Sequence, residues 1–85
     1  MLAIELGYYR KEDWEQFISL IDDKQSMHSS WYEWHEAYNK SKKELEKQGF
    51  TVIKAVVDLD KLIEFCSERK IQNIGSVRSQ FIQQI

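Results

Sequence analysis

The chain contains no proline, a single cysteine and only three glycines. Without proline no position has its φ locked and no proline-rich linker is present. Low-complexity stretches and internal repeats are absent too, so nothing divides the sequence and one domain over residues 1–85 is expected. A lone Cys66 excludes an internal disulfide, which agrees with a reducing compartment. Charge of one sign is also lacking: the formal net charge is -2, so the chain as a whole offers no cationic field to nucleic acid or anionic lipid, and nucleic acid is disfavoured as a partner. No apolar run approaches the ~20 residues that span a bilayer, so no membrane partner is expected. Met1-Leu2-Ala3-Ile4-Glu5 lacks the basic start and apolar centre of a secretion signal, and the expected location is the cytoplasm.

What the chain has is aromatic residues. Three Trp, four Tyr and four Phe, with 42% hydrophobic and 31% charged residues overall, describe a folded rather than a disordered protein. Ser30-Trp31-Tyr32-Glu33-Trp34 is the richest stretch. Its Ser30 hydroxyl is spaced to accept from the Glu33 N–H while the Glu33 carboxylate reaches back to the Ser30 N–H, a reciprocal capping box, so a helix is predicted to start there. Trp31, Trp34, Tyr38, Ser41 and Leu45 then recur on one face of that helix, which predicts that Trp34 faces inward.

The remaining elements follow from periodicity. Leu2, Ile4, Leu6 and Tyr8 alternate with other residues, which predicts a first strand over Leu2 to Tyr9. Glu12 and Asp13 open a first helix with an inward stripe of Trp14, Phe17, Ile18 and Ile21, stopping near Asp22-Asp23. A polar loop leads to the second helix, predicted over Ser30 to Gln48 and ended by Gly49. Phe50 to Val57 is apolar except at Thr51 and Lys54, the pattern of a second strand covered on much of both faces. Asp58 or Asp60 caps a third helix with Leu59, Leu62, Ile63 and Cys66 inward, ending around Arg69-Lys70. Asn73 is the candidate cap of a last helix carrying Ile74, Val77, Phe81 and Ile85.

The order β-α-α-β-α-α makes an α+β fold with a small two-stranded sheet per chain. Two strands alone are marginal in water, so the sheet needs cover or extension. One economical answer is a homodimer whose sheet runs across both copies; the rival is a monomer that sandwiches the sheet between helix pairs.

Motifs for chemistry are weak. His35-Glu36-Ala37-Tyr38-Asn39 begins like a zinc-protease helix but has Asn39 where the second histidine belongs, and His28 is poorly placed to replace it, so no metal or other cofactor is expected. Cys66 with His35 has the residue types of a nucleophile and base, yet Cys66 lies on an apolar stripe and reads as a small core hydrophobe. No catalytic residue is therefore assigned. Lys40, Lys42, Lys43 and Lys47 interleave with Glu36, Glu44 and Glu46 and read as a solvated, self-paired helix face. Gly75-Ser76-Val77-Arg78-Ser79 joins a helix start to a forked cation, suited to an anion or, more simply, to Asp58 or Asp60 of the same chain. The aromatic residues Tyr8, Tyr9, Trp31, Tyr32 and Trp34 are better explained as core or interface than as a pocket.

Taken as a string, Asp13-Trp14, Ser30-x-Trp-x-Glu-Trp34, Leu45-x-x-x-Gly49-Phe50, Val57-Asp58-x-Asp60-x-Leu62, Phe65-Cys66 and Gly75-x-x-Arg78-Ser79-x-Phe81 resemble a small bacterial family without an established activity. The resemblance implies a bacterial single-domain protein and carries over no site residues. The expected function is a non-enzymatic interaction or regulatory protein that associates with itself or another protein. The alternative is a small-ligand binder or minor enzyme with Tyr8, Trp31, Trp34, His35 and Arg78 around an aromatic pocket.

Overall fold

The computed structural model describes residues 2–84. It contains β1 (Ala3–Tyr8), α1 (Trp14–Leu20), α2 (Trp31–Lys47), β2 (Thr51–Val56), α3 (Leu59–Arg69) and α4 (Gly75–Gln83), with short 3₁₀ turns at Lys11–Asp13 and Lys24–Ser26. The α+β class and the β-α-α-β-α-α order are as expected. Among the described residues no helix is long and apolar enough to cross a membrane.

Capping chemistry sets the helix boundaries. Ser30 Oγ accepts from the Glu33 N–H at 3.2 Å as expected, while the Glu33 carboxylate reaches one residue beyond the expected Ser30 and takes the Ser29 N–H at 3.2 Å and the Ser29 hydroxyl. Gly49, at φ 96°, ends α2 in the left-handed region. Asp58, rather than Asp60, caps α3: its Oδ1 accepts from the N–H groups of Asp60 and Lys61 at 3.0 and 3.2 Å. At α4 the expectation fails. Ile74 occupies the cap position and offers no side-chain acceptor, because the Asn73 side chain is engaged elsewhere.

β1 and β2 pair in parallel, with Ala3 opposite Thr51 and Tyr8 opposite Val56. Leu6 and Lys54 are neighbours in that register and, with Tyr8, share the face toward α2. There the Tyr8 ring meets Trp34 and Tyr38 edge-on, with centroids 5.4 and 5.2 Å away. Gly7 points to the opposite face, where a β-carbon would collide with Ile82 of α4. The sheet thus lies between α2 and α4, with β2 only partly covered. Phe17 and Leu62 are fully buried at the centre of the core, and Tyr9 stacks on Phe17 with centroids 4.0 Å apart.

Three packing expectations need correction. β2 was expected to be covered on much of both faces, but Ile53 and Val56 remain 44% and 47% exposed. In α3 the inward stripe runs through Leu59, Leu62, Phe65 and Cys66, while Ile63 is turned outward, a rotation of the buried face that puts Phe65 edge-on against Phe81. The lysines and glutamates of α2 are solvated as expected but not self-paired: the ion pairs among the described residues are Arg10–Glu12, Arg10–Asp13 and Arg78–Asp23. Of the last stripe, Phe81 is buried, Ile74 and Val77 are half-buried, and Ile85 lies outside the described residues.

Trp34 is buried and surrounded by Tyr8, Tyr9, Trp14 and Tyr38 rings. Trp34→Ala should lower stability by ~3–5 kcal/mol, a large part of what a chain of this size possesses, whereas Lys43→Ala on the exposed face should change it by less than ~0.5 kcal/mol. Urea denaturation followed by circular dichroism measures both; a Trp34→Ala midpoint close to that of the parent would remove Trp34 from the core.

Candidate functional site

Four of the five predicted ligand residues come together. Tyr8 ends β1, and Trp31, Trp34 and His35 occupy the first turns of α2, so the cap that starts the helix also aims its rings at the strand end. The Trp31 indole N–H donates to the Tyr9 carbonyl at 2.8 Å, which fixes that ring against the chain leaving β1. His35 stacks on Trp31 with centroids 4.4 Å apart and 13° between planes, and meets Tyr8 edge-on at 6.0 Å. Lys54 of β2 places its ammonium 3.9 Å from the Tyr8 ring centroid, a cation held by the ring's electron-rich face. The rings fill the space between one another. The cavity beside them, between Leu6, Trp34 and Tyr38, is about 200 Å³, below the ~300 Å³ of the smallest ordinary ligand pockets.

Arg78 is not part of this group. It is 4% exposed, and its guanidinium is consumed by the fold. Nη1 donates to the Asn73 carbonyl and to Asn73 Oδ1 at 2.9 and 3.1 Å, and Nη2 donates to Asp23 Oδ2 at 2.9 Å. The partner expected from the sequence, Asp58 or Asp60, is therefore replaced by Asp23. The physical reason is topological: the end of α1, not the end of β2, lies against the start of α4. Asp22 joins the same clasp, its N–H bonding the Asn73 carbonyl at 2.9 Å and its carboxylate taking the Asn73 N–H at 2.7 Å. Asp23 Oδ2 also takes the Gly75 N–H at 2.9 Å, while its buried Oδ1 has no partner.

These contacts shift titrations. The Arg78 hydrogen bond holds the Asp23 carboxyl below the usual carboxylate range against a smaller opposing effect of burial. Burial pushes the Tyr9 phenol up to about 12 despite the nearby Arg78 cation, so Tyr9 stays neutral. Burial likewise raises the Cys66 thiol, which suits the core hydrophobe expected from its position and not a nucleophile.

Sequence reading missed two surface features. One is a depression of about 530 Å³ beyond the carboxyl ends of the two strands, lined by Arg10, Asp13, Val56 and Asp58, where Arg10 Nε is already held by Asp13 at 2.8 Å. The other is a cleft of about 680 Å³ on the outer side of Trp31, between α1, the loop before α2 and the first turn of α2. The signal for the cleft was present in Met27, an apolar residue isolated in a polar loop. Among the described residues no group of three or more His, Cys, Asp or Glu side chains is placed to hold a metal.

Comparison with protein-family models, with curated proteins and with solved structures returns no match to this chain. Its function must be argued from its own geometry.

The Asp23–Arg78 pair gives a pH-dependent test. A carboxylate whose pKa is depressed on folding contributes stability above its unfolded value, ~3.9, and loses it as pH falls through the folded value. Asp23→Asn should cost ~2–3 kcal/mol at neutral pH, since it leaves a buried guanidinium without its counter-charge. It should also flatten the fall in stability below pH ~4. Denaturation midpoints across that acid range decide it; parallel curves for parent and variant would show that the pair does not couple to folding.

Proposed function

We propose that this chain is a non-enzymatic interaction or regulatory protein of the cytoplasm that associates with itself through β2. The observation that carries the reading is the exposure of Ile53 and Val56 on opposite faces of a strand in a two-stranded sheet. The Thr51 and Val57 N–H groups bond back to Leu2 and Tyr8, so by alternation the backbone groups of Val52, Lys54 and Val56 turn away from β1 toward the outer edge. Such an edge is a template for another strand. A two-fold axis through it would run the two β2 strands antiparallel and make a four-stranded sheet, shielding Ile53 on one face and Val56 on the other with side chains of the second copy's strand. The spent guanidinium of Arg78, the buried Cys66 and the ring-filled aromatic cluster support a binding role over a catalytic one.

Light scattering on a size-exclusion column tests this directly. At tens of micromolar the expected mass is twice the 10.2 kDa of the chain. A Val56→Lys variant should run at the single-chain mass with an unchanged circular dichroism spectrum, because its added charge enters the edge and not the core. The 10.2 kDa mass for the parent under those conditions would overturn self-association.

A further inference from the structure

We infer that the cleft on the outer side of Trp31 is a binding site for a small aromatic anion, a flat ring system carrying one carboxylate, sulfonate or phosphate. The cleft has about 680 Å³, within the ~300–1,000 Å³ of small-molecule sites, and it shares no lining residue with β2. Its walls are Trp14, Trp31 and Tyr32 with the thioether of Met27, a combination of flat faces and an adaptable filler that suits an aromatic body.

The two indole walls are set before anything binds. Trp31 is locked by its hydrogen bond to the Tyr9 carbonyl and by the stacked His35, and Trp14 is buried against Phe17 and Trp34. Little ordering of these two rings is left for a ligand to impose.

Charge selects the sign of the ligand. Lys11 and Lys24 both line the cleft, and neither forms an ion pair with a described residue. Lys11 holds its ammonium 4.6 Å from the Tyr32 centroid, at the edge of the apolar wall. His28 lines the same rim, and the nearby Glu33 carboxylate is taken up by Ser29. Glu15 is the one lining residue of opposite sign. A ring seated on Trp31 and Met27 places its anion toward the lysines, where each contact is a charge-assisted hydrogen bond.

Naphthylacetate and its uncharged methyl ester are suitable probes, read by the three indole N–H signals in a two-dimensional NMR titration of the intact chain. Naphthylacetate should move the Trp31 and Trp14 signals and leave Trp34 nearly still, and the ester should bind at least about tenfold more weakly. Lys11→Glu and Lys24→Glu, both at exposed positions, should each weaken the acid by about tenfold without changing the ester, and Glu15→Gln should tighten it. Equal binding of acid and ester, or indole signals that do not move, would overturn the site. Binding only of an acidic peptide, with no response to naphthylacetate, would also overturn it and make the cleft a protein-docking surface.

Discussion

Parallel pairing of β1 with β2 is the constraint on which the rest of the structure hangs. Two parallel strands cannot be joined by a tight turn, so the chain between them must leave one end of the sheet and return to the other. The segment from Tyr9 to Phe50 does this through α1 and α2, and that path lays the aromatic stripe of α2 across the face of the sheet that carries Tyr8. The opposite face must then be closed by the C-terminal half of the chain. Gly7 lets α4 approach closely enough for Ile82 to occupy the space a side chain would need.

What ties the returning half to the first is the polar clasp between Asp22, Asp23, Asn73 and Arg78. Residues more than fifty positions apart exchange backbone and side-chain hydrogen bonds there, and a guanidinium is brought into the core above the Phe17 ring. A buried cation is tolerable only when its donors are satisfied, and Arg78 finds three acceptors within 3.1 Å. The clasp offers less freedom than an apolar contact, because its donors and acceptors match in one alignment. It thus specifies where α4 begins, and its orphaned Asp23 Oδ1 is the cost of concentrating the donors on the other oxygen.

A chain this short cannot cover everything it exposes, and the two surfaces with functional promise are where cover runs out. One is β2, which α2 reaches only in part; the other is the outer side of Trp31, where a polar loop passes instead of a packed element. They differ in chemistry. The strand edge offers backbone hydrogen bonds and branched aliphatic side chains, suited to another strand. The cleft offers fixed rings with lysines at the rim, suited to a compact ligand.

Much of this is legible in the sequence. Alternation and helical spacing located both strands and the four α-helices of the described residues, the Ser30 and Gly49 signals marked the ends of α2, and the i, i+3 placement of Trp31 and Trp34 put Trp34 inside. These are local properties: a cap, a left-handed residue or an apolar stripe is decided by neighbours within a few positions. Partners separated by dozens of residues were another matter. The sequence offers Arg78 several carboxylates of equal chemistry, and only the packing of α1's end against α4's start selects Asp23 over Asp58. Periodicity likewise says that Phe50 to Val57 is apolar, but not which helix arrives to cover it, so Ile53 and Val56 stayed in solvent. Local spacing determined the elements and most of their inward residues, such as Trp34 and Phe17; tertiary structure alone decided the rotation of α3 that buries Phe65 and exposes Ile63, the strand direction, the choice of ion-pair partner and the surfaces left open, because each depends on where distant segments meet.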